Sequence, residues 1–237
     1  MSGKVNLAKK PIVDLRKDAG RSIRRRNLGG LQMDIEVVLD RSGSMEDEYQ
    51  SGLVQRVLDR CHALCAELDP DGQMPVTLFH NSAKQLSELT AQNVDNYVQT
   101  HISREPYGGT SYAPPLEQIL RRRRCEKSFL GKVKPAQRAV MVVFVTDGVN
   151  DDAHATARVM QELSKEAPVF VKFIGLDTGA NVRFTTLERL DDMSGRSFDN
   201  ADFFRWDSSL NDDGLYDALL NEVNSAMNGM KKVGLLA

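Results

Sequence analysis

The sequence predicts a single α/β domain built on an open, mainly parallel six-stranded sheet with helices on both faces. Two observations carry this. Apolar runs of strand length alternate with segments of helical apolar spacing, and a polar loop repeatedly follows the end of a strand. A chain of 237 residues suits one such domain and leaves little room for a second.

Element by element, Ile35, Val37, Val38 and Leu39 form a buried strand that stops at the loop Asp40-Arg41-Ser42-Gly43-Ser44. Leu53, Val54, Val57, Leu58, Cys61, Leu64, Cys65 and Leu68 then recur at helical spacing. Pro75–His80 reads as the next strand, with Leu86–Leu89 as an edge strand beside it. Gly108-Gly109-Thr110-Ser111-Tyr112 leads into a helix carrying Leu116, Ile119 and Leu120, with Ser111 or Thr110 placed to cap it. Ala139–Val145 is a continuous apolar strand of the kind buried on both faces, and it runs into Thr146-Asp147-Gly148. A helix at Val159–Leu163, a strand at Val169–Ile174, a short helix at Leu187–Leu190 and a strand at Phe203–Trp206 follow. Leu215, Tyr216, Leu219, Leu220, Val223 and Met227 share one helical face and close the domain.

Charge is uneven. Residues 1–30 hold nine Lys or Arg against two Asp, although the whole chain has a net charge of −2. The expected organisation is therefore a basic N-terminal arm, 1–30, ahead of an α/β domain, 31–237. The simplest role for the arm is to lie on its own acidic domain; nucleic-acid binding is the competing role. With only 6 % aromatic residues there is no base-stacking platform, so nucleic acid is an unlikely partner. The three cysteines lack metal-ligand spacing, and Cys61 and Cys65 fall on an apolar helical face as small core residues. No apolar run approaches the length of a membrane span and no secretory signal stands at the N-terminus, so a cytoplasmic location is expected.

Three polar loops stand at strand ends or helix starts, where ligands of open parallel sheets bind. They offer Asp40, Ser42 and Ser44, then Thr110, then Asp147. All five are hard oxygen donors, which suits a divalent cation, Mg²⁺ first, with Ca²⁺ or Mn²⁺ as alternatives. Two carboxylates among hydroxyls leave such an ion an open position that an outside Asp or Glu fills, the logic of an adhesion site. An α/β phosphatase or phosphotransferase would also place Asp after the first strand. Its second acid, two residues on, is here Ser42, and no HExxH, GxSxG or GxxxxGK[ST] pattern supports another enzyme class.

DRSGS, GGTSYAP and VTDG resemble the metal-ion-dependent adhesion site of the von Willebrand factor A domain family over residues 31–237. More narrowly, LDRSGSM, GGTSYAP, VFVTDG, LDDMSGR and NADFF are similar to the bacterial tellurium-resistance (Ter-type, TerF-like) branch, as is the short VNLAKK opening. The resemblance implies direct ligation by Ser42 and Ser44, Thr110 direct or through water, and Asp40 and Asp147 partly through water. Asp151 and Asp152 lie just beyond, placed either to tune the site or to stand at a solvated helix N-terminus. It also implies a non-catalytic, metal-dependent protein-binding module of a tellurium-resistance or stress-response system. The partner would supply an Asp or Glu, and another Ter-type protein is one candidate.

Overall fold

A computed structural model describes residues 8–148, 150–177, 183–207 and 209–237. The start of the VNLAKK motif, Val5 to Leu7, lies outside the described residues. Six strands form one sheet in the order β3-β2-β1-β4-β5-β6, and only the β2–β3 pair is antiparallel. The strands are β1 (Met33–Asp40), β2 (Val76–Phe79), β3 (Ala83–Gln85), β4 (Ala139–Thr146), β5 (Val169–Leu176) and β6 (Ala201–Trp206). Every residue of β4 and β5 is buried, because helices cover both faces.

One face packs against α1 (Ile12–Arg25), α3 (Leu53–Leu68), α7 (Asp212–Leu219) and α8 (Val223–Lys232). The other packs against α4 (Ala113–Arg123), α5 (Ala153–Glu166) and α6 (Thr185–Asp191). A short helix α2 (Glu46–Gln50) leads into α3, whose apolar face buries Cys61 and Cys65 as core residues.

Three local expectations change. The ladder partner of β2 is Ala83–Gln85, directly after the tight turn in which the His80 amide donates to the Ser82 carbonyl. Leu86–Leu89 follows as single contacts, Leu86 to Val76 and Leu89 to Met74, with Leu89 filling the core. The C-terminal apolar face belongs to two helices. The break falls at Leu220–Glu222, where Glu222 takes a left-handed conformation (φ 60°) and the Asn221 carbonyl accepts from the buried Lys172 ammonium. Finally, neither Ser111 nor Thr110 caps α4; Asp152 does, as described below.

Within the basic N-terminal stretch, Ile12–Arg25 is a helix whose Leu15, Ala19 and Ile23 enter the core. Its cations meet acids of the domain: Arg16 pairs with Glu67, Arg21 with Asp213, Arg25 with Asp217, and Lys10 with Asp212. Charge and apolar burial together hold this helix on α3 and α7.

Candidate functional site

β1 and β4 are neighbours, but the connection leaving β1 leads to β2 on one side and that leaving β4 leads to β5 on the other. The crevice beyond their C-terminal ends is the topological switch point of the sheet. The register pairs Leu39 with Val145, so Asp40 and Asp147 leave adjacent strands side by side. Asp40 is fully buried, Ser42, Thr110 and Asp147 nearly so, while Ser44 is exposed on the rim. The site is a shallow polar floor open to solvent at one edge.

Each side chain is fixed by neighbours. The Asp40 carboxylate accepts from the Ser42 amide (2.7 Å) and from the Thr146 hydroxyl (2.6 Å). The Thr146 hydroxyl also accepts from the Gly148 amide (3.2 Å) and lies 3.1 Å from the Tyr112 hydroxyl. Tyr49 donates to the Asp40 carbonyl (2.8 Å), and the Ser42 and Ser44 hydroxyls sit 3.1 Å apart.

The loop carrying Thr110 is held on three sides. Gly43 donates to the Gly108 carbonyl and Gly108 to the Arg41 carbonyl, both at 3.1 Å, joining the first two loops as a short parallel bridge. The Gly109 amide donates to the Asn81 side chain. Asp151 and Thr110 exchange two hydrogen bonds: the Thr110 amide donates to the Asp151 carboxylate, and the Asp151 amide donates to the Thr110 carbonyl, each at 2.8 Å. Asp152 accepts from the Tyr112 and Ala113 amides (2.9 and 3.1 Å), neutralising the free N–H groups that open α4. The glycine pair is required by this packing. A Cβ on Gly108 would stand 2.9 Å from the Asn81 side chain, and one on Gly109 would stand 3.0 Å from the Asp151 carboxylate.

Electrostatically, burial dominates the two carboxylates of the site. Burial, with the nearby Asp147 charge, pushes the Asp40 carboxyl up to about 7. Burial also raises Asp147, opposed by a hydrogen bond from Ser44. One Asp147 carboxylate oxygen, Oδ1, is buried without a hydrogen-bond partner. Arg41, the cation next in sequence, is diverted: its guanidinium lies over the rings of Tyr49 (4.3 Å) and Tyr107 (3.6 Å) and donates to the Glu105 carbonyl. Among the described residues neither Asp40 nor Asp147 has an ion pair. Two desolvated carboxylates, one with an orphaned oxygen, beside two serine hydroxyls are a donor set that fits a hard divalent cation.

A second acidic group lies elsewhere. Asp191, Asp202 and Glu222 bring ligand atoms within 4.8 Å of one another. The buried Lys172 ammonium bonds Asp202 there, so that cluster already contains its cation.

Sequence patterning brought the five oxygen donors to one end of the sheet but missed what fixes them. Thr146 reads as the start of the polar loop after Val145, and Tyr112 as part of the glycine turn leading into a helix; in the fold Thr146 closes β4, donates to Asp40 and meets the Tyr112 hydroxyl. The available signal was a polar residue, Thr146, closing an otherwise apolar strand.

Comparison with known proteins agrees with the architecture. The chain is 27 % identical over 231 residues to the uncharacterized protein YcbR of Bacillus subtilis, covering 94 % of this chain and 90 % of that one. Among solved structures, proximal thread matrix protein 1 of the mussel byssus matches with a TM-score of 0.52 at 17 % identity. That match covers 81 % of this chain and 48 % of the byssus protein. The manganese-loaded TRAP protein of Plasmodium vivax aligns with a TM-score of 0.49 at 18 % identity, covering 87 % and 74 %. Residues 32–236 match the family model described as the von Willebrand factor A domain found in the TerF C terminus. The chain belongs to the TerF-like von Willebrand factor A family.

Proposed function

We propose that this protein is a non-catalytic binding module that holds a divalent cation on Asp40, Ser42, Ser44, Thr110 and Asp147 and captures a protein partner through an Asp or Glu of that partner. The observation that carries this is the uncompensated pair of buried carboxylates, with the orphaned Asp147 Oδ1, at the switch point of the sheet. Mg²⁺ is the ion proposed, with Ca²⁺ or Mn²⁺ as alternatives, in a cytoplasmic tellurium-resistance or stress-response system. The basic stretch 1–30 is proposed as an accessory to the α/β domain 31–237.

The roles of the chain's own groups follow from their contacts. Thr146 and the Ser42 amide each hold one oxygen of the Asp40 carboxylate and so fix its orientation. Ser42 and Ser44 offer neutral oxygens, so the donor set carries no more than two negative charges. A bound divalent cation would then be neutralised but not overcompensated, and with hydroxyls as its other ligands would act as a Lewis acid toward an incoming carboxylate. Thr110 sits on a loop latched by Asp151, which sets its distance from the other two loops.

The test is a pull-down from extract of the source cell on immobilised protein, with Mg²⁺ and with chelator. A partner retained only with Mg²⁺, and lost with Ser44→Ala, supports the proposal. Retention that ignores chelator and survives Ser44→Ala would overturn it.

A further inference from the structure

We propose that the hairpin between α4 and β4 docks this protein on an anionic lipid bilayer, inserting Phe129 and Leu130 while the surrounding lysines and arginines meet the headgroups.

The hairpin is a built protrusion. Lys127 bridges Val133, the Ser128 amide donates to the Lys132 carbonyl and the Lys134 amide to the Glu126 carbonyl, both at 2.8 Å. The Gly131 amide closes the turn on the Ser128 carbonyl (2.8 Å), and Gly131 takes the left-handed conformation (φ 75°) that the turn needs. The base is tied down as well: Cys125 donates to the Glu166 carbonyl and Ala136 to the Leu235 carbonyl. This framework holds Phe129 at 103 % and Leu130 at 82 % exposure, the two most exposed large apolar side chains among the described residues. An ordered turn that spends its two central positions on bare apolar groups calls for something to cover them.

Charge identifies what covers them. Residues 121–138 carry eight Lys or Arg and one acid, Glu126. The arginines at the base pair with Glu36, Asp34 and Glu166, and within the hairpin itself Lys127, Lys132 and Lys134 outnumber the single acid, Glu126. Arg121 and Lys132 have no ion pair among the described residues. A protruding apolar tip flanked by three lysines suits a fluid anionic surface, where apolar side chains enter the interface and lysines reach the headgroups. A nucleic acid would engage the cations and leave Phe129 and Leu130 in water.

The placement has a consequence. The hairpin enters β4 at Ala139, while the candidate metal site lies past Thr146 at the other end of that strand. Eight strand residues span roughly 26 Å, so a bilayer-bound molecule would present its metal site away from the membrane.

The test is flotation of the full chain with phosphatidylcholine vesicles, with and without phosphatidylglycerol. The expected result is binding only to vesicles containing phosphatidylglycerol, reduced at least about tenfold by the double variant F129S/L130S and by K132E/K134E. Thermal unfolding should be unchanged in both, since these side chains are exposed. In F129W, tryptophan emission should shift to the blue on those vesicles, against the constant background of buried Trp206. Three outcomes overturn the proposal: no flotation of the wild-type chain at low salt, unchanged binding by F129S/L130S, or a concentration-dependent dimer that this variant abolishes in the absence of vesicle binding.

Discussion

Replacing Asp40 by Asn should stabilise the metal-free protein and abolish its response to divalent cations. Asp40 is fully buried and its carboxyl is pushed from 3.8 to about 7 by burial and by Asp147. A carboxyl whose folded pKa lies above its unfolded value contributes stability at low pH, and that contribution is lost as pH rises from about 4 to about 7. Three units correspond to about 4 kcal/mol of destabilisation at pH 8, the upper bound on what Asn can recover. Asn also fits the hydrogen bonds. Its oxygen accepts from the Ser42 amide, and its NH₂ donates to Thr146, whose hydroxyl then accepts twice and donates to Tyr112. The assay is urea unfolding in chelator at pH 8 and pH 5. Asp40→Asn should exceed wild type by about 2–4 kcal/mol at pH 8, shrinking to about 1–2 kcal/mol at pH 5. With Mg²⁺ at about 100 times its Kd the order should close or reverse, because wild type gains about 2.7 kcal/mol and the variant nothing. An Asp40→Asn protein less stable than wild type at pH 8 in chelator, or a difference independent of pH, would refute the electrostatic reasoning.

Other perturbations separate the parts of the site and fold. Thr110→Ala should weaken partner capture more than metal affinity, read by titrating metal and partner separately, because Thr110 offers a neutral oxygen whereas Asp40 and Asp147 supply the charge that holds the ion. Asp152→Ala should cost about 1 kcal/mol in urea unfolding, since it strips two hydrogen bonds from the start of α4. Lys172→Met should cost about 3–5 kcal/mol by leaving Asp202 buried and unpaired, and adding Asp202→Leu should restore most of it. Removing residues 1–26 should lower the melting temperature and not merely the net charge, because Leu15, Ala19 and Ile23 go with them; unchanged melting would show that α1 contributes nothing to the core.

The sheet was legible because its strands are pure cases. Ala139–Val145 has no polar interruption, and Asp40 and Asp147 mark the C-terminal ends of β1 and β4 where the apolar runs stop. The edges were not. Ala83–Gln85 is half exposed, so it carries no apolar alternation, and Leu86–Leu89 looked more strand-like because Leu89 is buried by a neighbouring contact. The C-terminal helix break was hidden for a related reason. Asn221 disturbs no apolar spacing, and the cause of the break, Lys172, comes from a strand 49 residues away. At the site, the ligating residue types stand in the sequence, whereas the bracing by Thr146 and Tyr112 depends on pairing between segments that lie far apart. The helix at Ile12–Arg25 was obscured by charge: its cations dominate the composition, while only Leu15, Ala19 and Ile23 give its buried side an apolar spacing, beside the buried Asp18, Gly20 and Ser22.

Calorimetric titration of Mg²⁺ and Mn²⁺ into chelator-treated protein tests the metal site most directly. One ion per chain is expected for wild type and for Asp191→Asn, with no binding by Asp40→Asn or Ser44→Ala. Silent wild-type titrations would contradict the assignment, and so would binding that survives Asp40→Asn but is lost in Asp191→Asn.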